Sequence, residues 1–184
     1  MRTSMLHAVV AVLAGAACSD STTAPVTTWT ATLNVANETP APTGTTDLGG
    51  TATVNATGGG TAAGSIVYSM TLTGTPTSAL SAAHIHAGTS TGGATLAGTG
   101  GGIVRVVLCL TPVVAPAPAC PAGAGTVPST TITYTSGSTA VLGTPAMTFD
   151  GLVTALRNYG AYVNVHTSTN SGGETRGQLI PTVP

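Results

Sequence analysis

Three histidines occupy positions where β-strands would bring their imidazole rings close together. His84 and His86 are separated by one residue, and His166 lies near the end of an alternating segment, residues 161–167. Residues two apart in a strand share a face and lie about 7 Å apart along it. Three imidazoles with one open coordination position can bind copper or zinc as a catalytic site. The spacing therefore indicates a candidate metal site at His84, His86 and His166.

Other polar residues follow the same alternation. Tyr162 and Asn164 share the predicted face of His166, while a later strand groups Glu174, Arg176 and Gln178. In a second interpretation, all these groups form a hydrogen-bonded network in which Arg176 pairs with Glu174 and the imidazoles bind backbone or carboxylate groups. Both interpretations stay open, as does the question of whether this face meets water or the space between two sheets.

Strands must position these residues, and the alternation along the chain predicts eight of them. In the first, Trp29, Ala31 and Leu33 face one way while Thr30 and Thr32 face the other. Scattered Gly and Pro residues mark turns between the segments. The nearly apolar segment 102–110 suits a buried central strand. The predicted strands are residues 29–35, 49–56, 65–72, 82–87, 102–110, 129–134, 161–167 and 174–180.

One segment has helical rather than alternating spacing. Phe149, Leu152, Val153 and Leu156 recur at intervals of three and four residues, with Thr148 or Asp150 available as N-cap and a glycine at position 160 to end the helix. The sequence therefore predicts an all-β domain with one short helix near residues 150–158.

The N-terminal residues have the pattern of an export signal. Arg2 precedes an apolar stretch at residues 8–13 and four small residues, and the apolar stretch is too short to span a membrane. Cys18 and a polar run follow directly, as in the cleavage site and tether of a bacterial lipoprotein. We expect a signal peptide at residues 1–17, lipidation of Cys18, a flexible tether at 18–28 and a single domain at 29–184. The protein would be lipid-anchored in the cell envelope, or secreted if Cys18 is unmodified.

Cys109 and Cys120 bracket a proline-rich segment, so a disulfide between them is the natural assignment in an exported protein.

The charge of the chain argues against one class of partner, the nucleic acids. The chain has four Lys and Arg residues in total, at widely separated positions, so no basic patch exists for a nucleic acid backbone. We expect no nucleic acid partner.

The order of several motifs resembles the CHRD domain family, named for chordin and found in bacterial secreted proteins. Residues 37–40 read Asn-Glu-Thr-Pro, residues 83–86 read Ala-His-Ile-His, residues 162–167 read Tyr-Val-Asn-Val-His-Thr, and residues 173–179 read Gly-Glu-Thr-Arg-Gly-Gln-Leu. Thr175 stands where the family usually has an aliphatic residue. The resemblance implies an immunoglobulin-like or related Greek-key β-sandwich or barrel, extracellular placement and no established enzymatic activity.

Two functional hypotheses follow. The first is a non-catalytic cell-envelope module, binding or structural, which needs no cofactor and whose partner is an unidentified protein or envelope ligand. Its polar cluster would be His84, His86, Tyr162, Asn164, His166, Glu174, Arg176 and Gln178. The alternative is a three-histidine copper- or zinc-binding protein with superoxide-dismutase-like redox activity.

Overall fold

The computed structural model of the protein describes residues 27–58, 63–88, 102–113, 117–134 and 146–182. The predicted signal peptide, Cys18 and most of the predicted tether lie outside these residues. Within them, the chain forms nine strands, a short 3-10 helix at Val35–Asn37 and one α-helix. The elements are β1 (Thr27–Leu33), β2 (Gly49–Gly58), β3 (Gly64–Thr73), β4 (Leu80–Ala87), β5 (Ile103–Leu110), β6 (Gly125–Tyr134), α1 (Phe149–Arg157), β7 (Ala161–Thr167), β8 (Thr175–Gln178) and β9 (Ile180–Thr182).

The strands form two antiparallel sheets. The first has the order β6-β3-β2-β1-β9 and the second the order β5-β4-β7-β8. Alternating apolar residues of both sheets form one core, as the sequence pattern predicts for strands with one buried face. The Tyr68 hydroxyl crosses this core from β3 and donates to the Leu108 carbonyl of β5 at 2.8 Å. The predicted all-β sandwich with one short helix is confirmed.

Helix α1 closes one side of the core. The Thr148 side chain caps it by accepting a hydrogen bond from the backbone N–H of Gly151 at 3.1 Å, as an N-cap threonine should. Its apolar face is buried, and the carbonyl of Leu156 accepts a hydrogen bond from the buried Trp29 indole at 3.0 Å. Within the described residues, no helix has the length and apolar character needed to cross a membrane.

Besides shifts in strand bounds, such as β1 ending at Leu33 and β6 beginning at Gly125, two predicted strands differ from the structure in their place in the sheets. β5 lies at the edge of the second sheet rather than at its centre, and the N–H of its last residue, Leu110, donates to the Pro118 carbonyl at 3.0 Å. The segment 174–180 divides into β8 and β9, which belong to different sheets. The division occurs at Leu179, whose side chain is buried in the core and whose N–H donates to the Ala161 carbonyl.

The predicted disulfide between Cys109 and Cys120 is confirmed. The two Cα atoms are 4.8 Å apart, and the bond joins β5 to the segment that precedes β6. The two cysteines are separated by 11 positions in the sequence, and the loop between them is rich in proline. A covalent link in this position restricts the unfolded chain, which is how a disulfide stabilises a segment with little internal structure.

Candidate functional site

The histidines lie on the face of the second sheet that is turned away from the core. Ala83, Ile85, Val163 and Val165 of β4 and β7 are part of the core. The alternate residues form two rows across neighbouring strands on the opposite face. One row is His84, Asn164 and Arg176; the other is His86, Tyr162 and Gln178; and His166 lies beside Ala82.

This polar face is buried although it lies outside the core. Tyr162, Asn164 and Arg176 are between 2% and 3% exposed, and His86 and His166 are 9% and 8% exposed. His84 is partly buried. Buried polar groups require hydrogen-bond partners, since an unpartnered one costs about 1–3 kcal/mol. The hydrogen bonds of this face therefore show which of its polar atoms have a partner in the protein and which do not.

The three imidazoles form a compact cluster. The His84 ring centroid lies 5.0 Å from that of His166 and 5.7 Å from that of His86, and the His86 and His166 centroids are 6.0 Å apart. One ring nitrogen from each histidine can be chosen so that all three nitrogens lie within 4.8 Å of one another. The cluster that the strand spacing predicts is thus present.

Backbone carbonyls fix the orientation of two of the rings. His86 Nδ1 lies 2.7 Å from the Gly102 carbonyl oxygen, and His166 Nδ1 lies 3.0 Å from that of Ser171. A carbonyl oxygen only accepts hydrogen bonds, so Nδ1 carries the proton in both rings and Nε2 keeps a lone pair. Both Nε2 atoms, and Nδ1 of His84, are buried without a protein hydrogen-bond partner.

The three rings are neutral at neutral pH. Burial, followed by the proximity of His166 and His86, lowers the pKa of His84 to about 4. Burial also lowers the pKa of His86 and of His166, and the carbonyl hydrogen bond of each ring opposes this effect without overcoming it. Neutral imidazoles have free lone pairs, which is the protonation state that metal ligands need.

Tyr162 connects the histidines to Arg176. Its ring stacks on His86 with the centroids 5.0 Å apart and the planes 6° from parallel, and Cζ of Arg176 lies 5.4 Å from the centre of the tyrosine ring. The arginine also donates from Nε to the Asn37 carbonyl at 2.5 Å. These contacts place a fixed positive charge at one side of the polar face.

The ion-pair partner of Arg176 is Glu38, which is not among the predicted site residues. Arg176 Nε lies 3.8 Å from Glu38 Oε1, and both side chains are buried. Burial raises the pKa of Glu38, although the arginine and the Thr39 N–H partly offset this effect. The sequence did offer a signal for Glu38. A buried arginine needs a counter-charge, and the Asn-Glu-Thr-Pro motif contains a carboxylate that could supply it.

A glycine permits the approach of Glu38 to Asn164. Gly173 has φ of +134°, and a Cβ atom at this position would lie 2.6 Å from Asn164 Nδ2 and 2.7 Å from Glu38 Oε2. Only glycine fits both this backbone conformation and this space. Gly173 is therefore a second site residue that the sequence analysis did not single out.

Glu174 belongs to a separate network instead of pairing with Arg176. Its carboxylate accepts five hydrogen bonds, from the hydroxyls of Thr46, Thr77 and Thr167, the Thr77 N–H and the Asn170 amide. Burial alone would raise the pKa of Glu174, but these hydrogen bonds outweigh it and hold the pKa at about 2. Glu174 thus fastens three loops to the end of β7.

Gln178 also has a structural role in the arrangement. Its amide donates to the Tyr159 carbonyl at 2.9 Å and to the Ala161 carbonyl at 2.5 Å. These bonds fix the connection between α1 and β7. The predicted cluster therefore divides into residues with satisfied polar groups, Glu174 and Gln178, and residues grouped around the histidines.

The unpartnered atoms identify the second group as the candidate site. In the described part of the chain, the buried side-chain atoms without a protein hydrogen-bond partner number seven. Six of them lie on or against the polar face: Glu38 Oε2, His84 Nδ1, His86 Nε2, Asn164 Oδ1, His166 Nε2 and Arg176 Nη2. The seventh is the hydroxyl of Thr175, the neighbour of Arg176 in β8.

A serine motif in the sequence is not among the predicted site residues. Residues 88–92 read Gly-Thr-Ser-Thr-Gly, which matches the Gly-x-Ser-x-Gly pattern of serine hydrolases. That pattern indicates catalysis at a turn from a strand into a helix in an α/β-hydrolase sheet. Here it follows β4 of an antiparallel sandwich, and residues 89–101 lie outside the described ones.

Comparison with known proteins identifies one family. The family model for the CHRD domain matches residues 29–179, which include every strand from β1 to β8 except the first two residues of β1. The searches of curated proteins and of solved structures found no match.

Proposed function

Because the chain belongs to the CHRD-domain family, we propose that it is a non-catalytic module of the cell envelope that binds a ligand at the polar face around His84, His86, Asn164 and Arg176. The concentration of unpartnered buried atoms on this face carries the proposal. In the rest of the described residues, the Thr175 hydroxyl is the single further buried side-chain atom without a partner, and the Glu174 carboxylate is fully hydrogen-bonded. Atoms left without partners in one place are what a ligand-binding site requires, at the expense of stability.

Substitutions that remove the unpartnered atoms test this proposal without knowledge of the ligand. We expect Asn164→Leu and His84→Phe to leave the free energy of unfolding unchanged or to raise it by up to about 1 kcal/mol, because each removes a buried polar atom that has no protein partner. The matched control is Thr167→Val, on the same strand as Asn164. Its hydroxyl donates to Glu174 at 2.6 Å and accepts from the Asn170 N–H at 3.1 Å, so its loss should cost about 1–3 kcal/mol.

Urea unfolding of the three variants gives the comparison. If Asn164→Leu and His84→Phe lose as much stability as Thr167→Val, the polar face is a structural network and the binding proposal is wrong. An unchanged or raised stability in both, with a loss in the control, supports a face kept for a ligand.

We further propose that the module is exported and held at a membrane through a lipid on Cys18. The residues before Cys18 have the organisation of an export signal, and a free thiol in an oxidising compartment is a liability. Cys18→Ala should move the protein from the membrane fraction to the soluble fraction of its host, while the double variant Cys109→Ala, Cys120→Ala should stay with the membrane. An unmodified Cys18 in the mass spectrum of the mature protein would contradict the anchor.

A further inference from the structure

The histidine cluster carries a more specific inference about the ligand. We propose that His84, His86 and His166 bind a single copper or zinc ion through their unpartnered ring nitrogens. This inference rests on the proposed function, since it names the ligand class of the same polar face.

The first support is the geometry of the nitrogens. Two imidazole nitrogens on one tetrahedral ion are about 3.4 Å apart, given metal–nitrogen bonds of about 2.0–2.1 Å. One nitrogen from each of the three rings already lies within 4.8 Å of the others. Reaching the spacing of a single tetrahedral ion shortens these separations by roughly 1 Å, which His84 can supply most easily because its Nδ1 makes no protein hydrogen bond.

The second support is the set of partners behind the rings. A metal-binding histidine usually donates its other ring N–H to a carbonyl or carboxylate, which sets the tautomer and directs the ligand nitrogen. His86 and His166 have this arrangement with the Gly102 and Ser171 carbonyls. Their remaining nitrogens are buried without a protein partner, although each ring is more than nine-tenths buried. Most buried polar atoms with a structural role have a hydrogen-bond partner, and these nitrogens do not.

The charges near the cluster allow a cation to enter. The positive charge that the polar face itself carries, Arg176, is balanced by Glu38 at 3.8 Å. His84 is only partly buried, so water can reach the cluster from its side and supply a fourth ligand. Uncharged nitrogen ligands select copper and zinc over magnesium or calcium, which prefer oxygen, and copper(II) binds more tightly than zinc in a given site.

Metal retention tests the inference. The full chain, expressed with its own leader and without a histidine tag, is stripped with chelator, dialysed against copper(II), zinc(II) or magnesium, and assayed for bound metal. We expect about one equivalent of copper or zinc, no magnesium, and displacement of zinc by copper. His84→Gln, His86→Gln and His166→Gln should each weaken binding at least about 10–100-fold, the range that loss of a mere supporting partner produces.

Gln178→Ala is the matched control, because it removes a polar side chain from the same face without removing a proposed ligand. It should keep the metal. His84→Gln is the decisive ligand variant, since His84 Nδ1 makes no protein hydrogen bond and the fold should tolerate its loss. Circular dichroism verifies folding of each variant.

The inference is overturned if the folded parent retains neither copper nor zinc, if folded His84→Gln binds as tightly as the parent, or if Gln178→Ala loses the metal as the histidine variants do. Retention by the parent and the control, with loss in the ligand variants, supports it. The stability of Asn164→Leu separates the two proposals: a parent without metal and a stable Asn164→Leu would refute the metal while leaving a binding face.

Discussion

Glutamine in place of Glu174 should remove most of the acid sensitivity of the fold below pH 4.5. In the folded protein the pKa of Glu174 is about 2, against an ordinary value of 4.5. The difference of about 2.5 pKa units corresponds to about 3 kcal/mol, at about 1.4 kcal/mol per unit. Allowing for solvent screening, we expect about 2–3 kcal/mol. Because the folded pKa is lowered, this stabilisation is complete above pH 4.5 and is lost as the pH falls toward 2.

The assay is urea unfolding of the parent and of Glu174→Gln at several pH values from 7 to 2. Fluorescence of Trp29, the single tryptophan and a fully buried one, reports unfolding. We expect a gap of about 2–3 kcal/mol at pH 7 that narrows from pH 4.5 and has nearly closed at pH 2, because Glu174 is then protonated in the unfolded chain and partly protonated in the folded one. The histidines destabilise both proteins equally as the pH falls from 6.5 toward 4, so their effect cancels in the difference.

A gap that stays constant down to pH 2 would refute this reasoning, because it would mean that the variant loses packing rather than a hydrogen-bonded carboxylate. No gap at pH 7 would refute it as well. Asp150→Asn is the control for removing a negative charge as such. It changes a carboxylate in the first turn of α1, where loss of the favourable helix-dipole interaction costs about 0.3–1 kcal/mol.

Three further changes should affect stability, each measured by urea or thermal unfolding. Replacing Cys109 and Cys120 together by alanine should cost about 3 kcal/mol, the chain-entropy value for a loop of this size, and an unchanged midpoint would mean that the loop is already ordered when unlinked. Gly177→Ala should cost about 1–3 kcal/mol, because its Cβ would lie 2.3 Å from the Thr32 carbonyl oxygen of β1; a neutral result would show that β8 can move away. Glu38→Gln should cost about 3–5 kcal/mol by leaving its arginine partner buried without a counter-charge, and a loss below 1 kcal/mol would exclude a strong pair.

The polar face was predictable from the sequence because strand alternation has a fixed period of two. Once 82–87 and 161–167 are strands, His84 and His86 must share a face, and so must Tyr162, Asn164 and His166. The family motifs add the order of these segments along the chain. The register that places His84 beside Asn164 depends on how the strands pair in the folded sheet, and the alternation alone does not predict it.

The same rule failed at Glu174 for a physical reason. Alternation applies only within a strand, and Glu174 precedes β8, directly after Gly173 with φ of +134°. The chain direction changes there, so Glu174 turns to the threonines while Arg176 faces Glu38. Burial of the polar face was also beyond sequence reasoning, since it depends on residues outside the sheet: Asn37 approaches Arg176 from a distant part of the chain, and Ser171 folds back over His166 from the turn after β7.

The contrast between the two polar clusters is the strongest argument about function. Around Glu174 the chain supplies five hydrogen bonds to the carboxylate, from Thr167 of β7 and from the loops that contain Thr46, Thr77 and Asn170. A chain this rich in threonine could have supplied partners to the histidine face in the same way. It instead uses backbone carbonyls to fix one nitrogen of His86 and of His166 and leaves the other free. A lone pair that is oriented, buried and unpaired adds no hydrogen bond to the fold, and this supports the proposal that a ligand binds these ring nitrogens.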